Sequence, residues 1–313
     1  MTRFRWLLAA LGVVSAILAV RFAVRFPWAG TVEAIEGADW TLLGAAALAN
    51  LASLGFKGWA WYLLLRPAAA HRWSTAQAAT IVGAAVNSVS VSVSGEAARV
   101  QVLVGRDRVP LGPAISSLVW CRVVEGIGLV LFLLAAFGVL PDEPWMRPVR
   151  LAAWIALGLL AALWLGGVGP RLLARVPARW RPAVAPVRPP GARSWWAAPV
   201  ALAMANWGAE WLAYHWCIGA THIPASPTVS LAALVVANIG GIFRVTPGNV
   251  GVLQASLVLG MVPFGISGDQ ALAAGLVLQA VQVVPVLALG IGLVGVQGFR
   301  SLTARRARAV PAV

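Results

Sequence analysis

VSLAALVVANIGGIFRVTPGNVGVLQASLVLGMVP, residues 229–263, is an apolar stretch interrupted in its middle by Arg-Val-Thr-Pro-Gly-Asn at 244–249. A helix that crosses about 30 Å of hydrocarbon needs roughly 20 apolar residues at about 1.5 Å each. The segments on either side of 244–249 are each too short for that, and Pro247 with the glycines around it breaks the helix between them. The stretch therefore reads as a re-entrant hairpin, two short helices joined by a break whose backbone must face protein or water. Residues 74–108, interrupted by Ser-Val-Ser-Gly-Glu at 92–96, read the same way. The Ser/Val alternation at 88–94 resembles a strand, but a lone strand cannot satisfy its backbone in lipid, so unwound or helical backbone is expected there.

Outward from these two hairpins, full-length apolar spans fall at 6–24, 40–65, 112–137, 149–168, 195–220 and 270–296. Composition agrees with a membrane fold. The 313 residues are 60% hydrophobic and 11% charged, with a mean hydropathy of +0.83, against about 45–50% and about 25% in soluble domains. The expected class is an all-α polytopic membrane protein of six transmembrane helices plus two re-entrant hairpins. Arg3 and Arg5 before an apolar run imitate a signal peptide, but Arg21 and Arg25 stand where a small-residue cleavage site belongs, so 6–24 is expected to stay as the first helix.

The net charge of +14 suggests a nucleic-acid partner in a soluble protein, but no polar domain is left over to display a basic face. Topology accounts for it instead. With a cytoplasmic N-terminus, Arg3, Arg5, Arg66, Arg72, Arg106, Arg108, six arginines from Arg171 to Arg193 and four from Arg300 to Arg308 lie inside, 16 of the 24 basic residues, with Asp107 as the one acidic residue. Outside lie Arg21, Arg25, Arg147 and Arg150 with six carboxylates. This is the positive-inside bias, with both termini cytoplasmic in a cell (inner) membrane.

The element order repeats. Residues 1–140 read span, span, broken hairpin, span, and 145–300 read the same four elements again; three crossings per half turn the second copy upside down. Inverted repeats with broken helices near the midplane are a transporter architecture, the alternative being miscounted short helices. The Arg- and Pro-rich segment 166–194 reads as a cytoplasmic linker within a single membrane domain.

Lys57, Glu96, Arg99, Arg122, Glu125, Glu210, His215 and Arg244 fall inside apolar elements, with Gln254, Gln279 and Gln282. A charge at the centre of a span costs about 2.5–3.5 kcal/mol on insertion scales, so such groups face a cavity or a partner. Arg122 and Glu125 share a helix face and either neutralise each other or meet a ligand; Gln279 and Gln282 repeat the spacing in the second half. Glu96 and Arg99 follow the first break and Arg244 precedes the second, where half-helix N-termini with free N–H groups suit an anion such as phosphate. Arginine matches phosphate bidentately, so an amphiphile with an anionic headgroup is the substrate class; for Arg244 the alternative is snorkelling to an interface. His215 reads as a helix-to-helix hydrogen bond. Cys121 and Cys217 read as buried free thiols. Three histidines make no metal motif, so no metal or cofactor is expected. Gly290-Ile-Gly-Leu-Val-Gly295 matches a dinucleotide fingerprint but lies in a span with no strand before it, and reads as small-residue helix packing.

Thr246-Pro-Gly-Asn-Val-Gly251-Val-Leu-Gln254, followed by an apolar helix and Asp269-Gln-Ala-Leu-Ala, resembles the TPGGLG-x-x-E segment of the lysylphosphatidylglycerol synthase transmembrane region, or flippase-like, family. Gly95-Glu96-Ala-Ala-Arg99 and Arg122-Val-Val-Glu125 resemble that family's G-E-x-x-R and R-x-x-D segments, in the same order. The resemblance implies an integral membrane protein that binds or moves lipids between leaflets. It departs from the family at Gln254, commonly Glu, at Gln279, often Arg, and at Asn249, in place of the second glycine. It holds no stretch for a soluble aminoacyl-transferase domain, so lipid aminoacylation is not expected of this chain.

These readings converge on a membrane lipid transporter, not an enzyme. Arg99, Arg122 and Arg244 would pair a membrane phospholipid or lipid-linked anionic headgroup, and Glu96, Glu125 and Glu210 would balance the empty site. Pro247, Gly248 and Gly251 would hold the second break open and, with Gln254 and Gln279, complete the substrate-binding set. The alternatives are a non-catalytic accessory subunit for a glycosyltransferase or lipid-modifying enzyme, docked through 166–194, and an embedded enzyme using Glu96 and Glu210 as acid and base.

Overall fold

The structure is a computed structural model that describes residues 36–90, 94–165, 196–224, 226–241 and 247–309. Nine α-helices form among the described residues: α1 Trp40–Leu65, α2 Trp73–Val89, α3 Ser94–Asp107, α4 Leu111–Val139, α5 Met146–Leu165, α6 Ala197–Ala220, α7 Pro227–Gly241, α8 Val252–Met261 and α9 Gly268–Ala309. No strand occurs among them.

Local chemistry sets the starts. Asp39 caps α1, its Oδ1 accepting from the N–H groups of Thr41 at 2.8 Å and Leu42 at 3.2 Å. Pro113, Pro148, Pro199 and Pro227 each sit in the first turn of a helix, where the missing N–H costs no intrahelical bond. Five of the six expected spans are single helices (α1, α4, α5, α6 and α9); the one at 6–24 lies outside the described residues. The two interrupted stretches each fold into two arms, α2 with α3 and α7 with α8, the second pair joined at the 3-10 turn Pro247–Asn249. Ser88 and Val89 complete α2 as helix. Among the described residues, α4 and the Gly268–Gly295 part of α9 are long and apolar enough to cross a membrane. Helix α9 runs past the expected end at 296 to Ala309 through SLTARRARA, because alanine and arginine are strong helix formers.

The helices α1 and α6 form a central antiparallel pair: Asp39 N–H at the start of α1 donates to the Ala220 carbonyl at the end of α6, 2.9 Å away. Helix α4 closes on α6 at Gly128, where a Cβ would lie 2.9 Å from the Ala203 carbonyl carbon, the small-residue contact that lets helices approach. Gly290 meets Ala85 of α2 in the same manner, while Gly292 and Gly295 meet nothing within 4 Å, so the glycine-rich run packs a helix at one point only.

Two apolar cores result. One gathers Trp61, Leu64, Leu103, Leu118 and Val124 around α2 and α3; the other gathers Phe137, Ile218, Leu234, Leu257 and Leu278 around α7 and α8. Outside them, large apolar side chains face outward, among them Leu48, Trp154, Leu259 and Ile291, an apolar exterior of the kind that hydrocarbon solvates and water does not.

Helix α9 contains Pro285, which cannot donate to the carbonyl of Val281 one turn earlier. Asn50 of α1 supplies the missing partner, with Nδ2 3.5 Å from the Val281 oxygen and 3.4 Å from that of Gln282. At the other end of the first hairpin Asp107 holds Arg72, accepting from its backbone N–H at 2.8 Å and from its guanidinium at 2.8 and 3.0 Å. Burial raises the Asp107 carboxyl, but these hydrogen bonds outweigh it and hold it below its ordinary value.

Candidate functional site

Five charged residues singled out in the sequence, Lys57, Glu96, Arg99, Arg122 and Glu125, come together between α1, α3 and α4. Glu125 is the hub. Its Oε1 lies 3.3 Å from Lys57 Nζ and its Oε2 accepts from Arg122 Nη1 at 2.8 Å. Arg122 reaches on to Glu96, in the first turn of α3, with its second terminal nitrogen. The i,i+3 spacing of Arg122 and Glu125 thus produces the expected ion pair, and the pair is open at one end, since the Arg122 side chain is 38% exposed.

Arg99 sits deeper, 3% exposed, with its guanidinium carbon 4.3 Å from the centroid of the buried Trp61 ring, a cation–π contact. Its Nη2 reaches Thr80 Oγ1 at 3.5 Å, and its Nε has no partner. Glycine at position 83 makes this placement possible: a Cβ there would strike the Arg99 Cγ and come within 2.8 Å of the Gly95 carbonyl oxygen. The second carboxylate oxygen of Glu96 is also buried without a partner. Unpartnered buried polar atoms are uncommon and costly, and here two of opposite character belong to one cluster. Three cations against two carboxylates leave it at +1.

The second break is built from amides. Gly248 and Asn249 have φ of 60° and 56°, and Gly251 has φ of 82°. Asparagine is among the few non-glycine residues that adopt this left-handed region readily, which explains how Asn249 can replace the family's second glycine. Gly248 is also the meeting point of the two hairpins, since a Cβ there would lie 2.6 Å from the Ser88 carbonyl oxygen of α2. Gln279 Nε2 donates to the Gly248 carbonyl at 3.1 Å. Gln254 accepts from the Gly251 N–H at 2.7 Å and donates to the Gly275 carbonyl at 3.4 Å. The first break is treated likewise, Asn87 Oδ1 accepting from Gly95 N–H at 3.0 Å. Two of the helix-end N–H groups expected to meet an anion are therefore occupied by the protein's own amides. Pro247 opens the 3-10 turn; Arg244 lies outside the described residues.

Glu210 feels the charges of Lys57 and Glu125 but is not tied into the network by contact. It makes no hydrogen bond or ion pair with described residues and lines a separate cavity of about 350 Å³ beside the second break, with Tyr214, Asn238, Asn249 and Gln282. Trp207, one turn earlier on α6, donates from Nε1 to the Glu125 backbone oxygen at 2.8 Å, so cavity and network are neighbours across α6. His215 meets Ser230 of α7 at 3.2 Å, the expected helix-to-helix bond. Cys121 and Cys217 are free and buried. Lys57 carried the signal of an ionisable group in an apolar span, yet nothing in its sequence neighbourhood points to Glu125; Trp61 and Trp207 carried no signal, being two of 16 tryptophans.

A bundle of apolar-faced helices, two of them broken and kept so by amide side chains, with ion pairs held between its helices, defines an integral membrane domain. Residues 7–290 match the family model described as lysylphosphatidylglycerol synthase TM region, and the chain belongs to that family. No curated protein matches it.

Proposed function

We propose that this membrane protein binds the phosphate of an anionic phospholipid, or of a lipid-linked headgroup, at the Lys57–Glu96–Arg99–Arg122–Glu125 network and carries it between leaflets of the cell membrane. The observation that carries this reading is the network itself: a cluster of charge +1, deep in an apolar bundle, with an unpartnered Arg99 Nε. A purely structural ion cluster would satisfy its members; this one keeps a donor in reserve and opens at Arg122. A phosphate reaching Arg122 competes with Glu96 for the guanidinium. Glu96 lies in the first turn of α3, at the first break, so displacing it acts on the hairpin rather than on a rigid span. Binding and movement are coupled through that exchange.

The architecture we attach to this function is six spans and two re-entrant hairpins in an inverted repeat, halves 1–140 and 145–300 joined by the cytoplasmic linker 166–194, with both termini cytoplasmic. The antiparallel pairing of α1 with α6, the equivalent elements of the two halves, supports it, as does the contact of Gly248 with Ser88, which brings the two breaks together. The side chains act by binding and release, so the protein is a transporter and not an enzyme.

Purified protein in liposomes with fluorescent phosphatidylglycerol tests this. Accelerated leaflet exchange that Arg122→Ala abolishes is the expected result; no acceleration for any anionic lipid, with lipid binding unchanged by Arg122→Ala, would end the proposal.

A further inference from the structure

The two carboxylates of the ion network are shared unevenly. Arg122, the more exposed arginine, holds both Glu96 and Glu125. Arg99 is buried and holds neither; among the described residues it has no carboxylate in ion-pair contact. A buried guanidinium ordinarily brings its own counter-ion. What fixes Arg99 instead is the Trp61 ring, itself held by a hydrogen bond from Nε1 to Ser117 Oγ at 3.1 Å. Thr80 adds a second hold: its hydroxyl proton goes to the Ala76 carbonyl at 2.9 Å, so its oxygen is free to accept from Arg99 Nη2. Arg99 Nε has no acceptor and Glu96 Oε2 has no donor, and both atoms are closed to solvent. The two orphans belong to residues three apart on α3, a spacing that puts side chains on one helix face with about 5–6 Å between Cβ atoms. A pair between them would satisfy both, and it is absent while Arg122 engages Glu96.

We propose that Glu96 is a two-position carboxylate, paired with Arg122 while the site is empty and with Arg99 once an anionic headgroup occupies Arg122. This rests on the phosphate-binding reading of the network. A phosphate at Arg122 competes with both carboxylates, with different consequences. Glu125 keeps Lys57, 3.3 Å away. Glu96 has Arg122 as its one described cation in contact, and its charge, left alone in the bundle, would oppose binding. Arg99, one turn along the same helix, receives it. Among the described members three cations then face three anions in separate pairs: Arg122 with phosphate, Lys57 with Glu125, Arg99 with Glu96. The single negative charge of the ligand brings the cluster from +1 to zero. Arg99 stays against Trp61 throughout, and the change is a new rotamer of Glu96 in the first turn of α3. Arg99 is thereby a positioning residue that does not touch the ligand; its reserve donor belongs to Glu96. Return of Glu96 to Arg122 expels the headgroup, so the same exchange serves release.

A double-mutant cycle tests the exchange, read as the Kd of short-chain phosphatidylglycerol for the full chain in detergent: wild type, Glu96→Gln, Arg99→Met and the two together. Arg99→Met is expected to weaken binding about tenfold with Glu96 in place, and by less than about twofold in the Glu96→Gln background, where no carboxylate is left to receive. The long-range charge of Arg99 acts on phosphate in both backgrounds and cancels in the comparison. A factor in the Glu96→Gln background equal to or larger than that in wild type assigns Arg99 to the ligand itself, and no weakening in either background assigns it to packing. Each of these overturns the exchange and leaves the phosphate reading standing, provided that Arg122→Ala abolishes binding. If the wild type binds no phosphatidylglycerol, the phosphate reading falls first and the exchange falls with it. Should Arg99→Met not fold, the unaltered protein decides: its structure with the lipid bound is expected to show Glu96 within about 4 Å of Arg99. Glu96 still away from Arg99, or phosphate at the Arg99 Nε, overturns the proposal.

Discussion

Around the first break the side chains that meet are Lys57, Glu96, Arg99, Arg122 and Glu125; around the second they are Asn249, Gln254, Gln279 and Gln282, with Glu210 as the one carboxylate among the described residues. A broken helix leaves backbone N–H and C=O groups that need partners. At both breaks amides supply them, Asn87 at the first and Gln254 with Gln279 at the second. The ion pairs of the first break run from side chain to side chain and do none of this backbone work. The difference teaches that the charges are surplus to holding the breaks open, which is why a binding role is assigned to them and a structural one to the glutamines.

Breaking the hub of the network gives the largest effect. Glu125→Leu leaves Lys57 and Arg122 without their shared carboxylate and is expected to cost about 3–5 kcal/mol, read as thermal unfolding in detergent. Gln279→Leu at the second break removes one hydrogen bond and should cost about 1 kcal/mol. Equal losses at the two positions would erase the distinction between them. Next comes the contact between the hairpins. Gly248→Ala combines left-handed backbone with a clash against Ser88, worth about 1–3 kcal/mol. Gly126→Ala in α4, where a Cβ meets nothing within 4 Å, is expected to be neutral or to stabilise by up to about 1 kcal/mol.

Smaller again is Asn50→Ala, which strips the side-chain donor from the Val281 carbonyl that Pro285 leaves without its helical partner and from the carbonyl of Gln282. Interhelical hydrogen bonds of this type average about 0.6 kcal/mol in membranes, and the loss should show as a modest drop in melting temperature. The smallest effect belongs to Asp107 and Arg72. The folded-state carboxyl lies below its ordinary value, so its stabilisation is present above about pH 4 and fades as pH falls through the folded-state value. With Arg72 largely exposed, the pair is worth about 0.2–1 kcal/mol. A stability–pH profile in which Asp107→Asn removes a small acid-side slope is the expected result; identical slopes would assign the pair no energetic role.

The helices were legible because hydropathy and proline act locally. The spans at 40–65 and 195–220 stand within two residues of α1 and α6, and both interruptions mark the ends of helices. The Arg122–Glu125 pair was legible for the same reason, being fixed by helical spacing. What escaped was everything decided across helices. Nothing near Lys57 in the chain points to Glu125, and nothing near Asn50 points to a proline 235 residues later. The separation of Glu210 from the arginines follows from which face of α6 each neighbour covers, a matter of packing. Gln254 and Gln279 looked like substituted functional positions against the family pattern; in the structure each spends its amide on the backbone of the second break.

The central claim is that the first-break network is a phosphate site. The most direct measurement is a structure of the full chain in nanodiscs containing phosphatidylglycerol. The account predicts headgroup density within hydrogen-bonding distance of Arg122, with Glu96 released from it. Density for annular lipid around an unaltered Arg122–Glu96 pair, and none at the network, would contradict it.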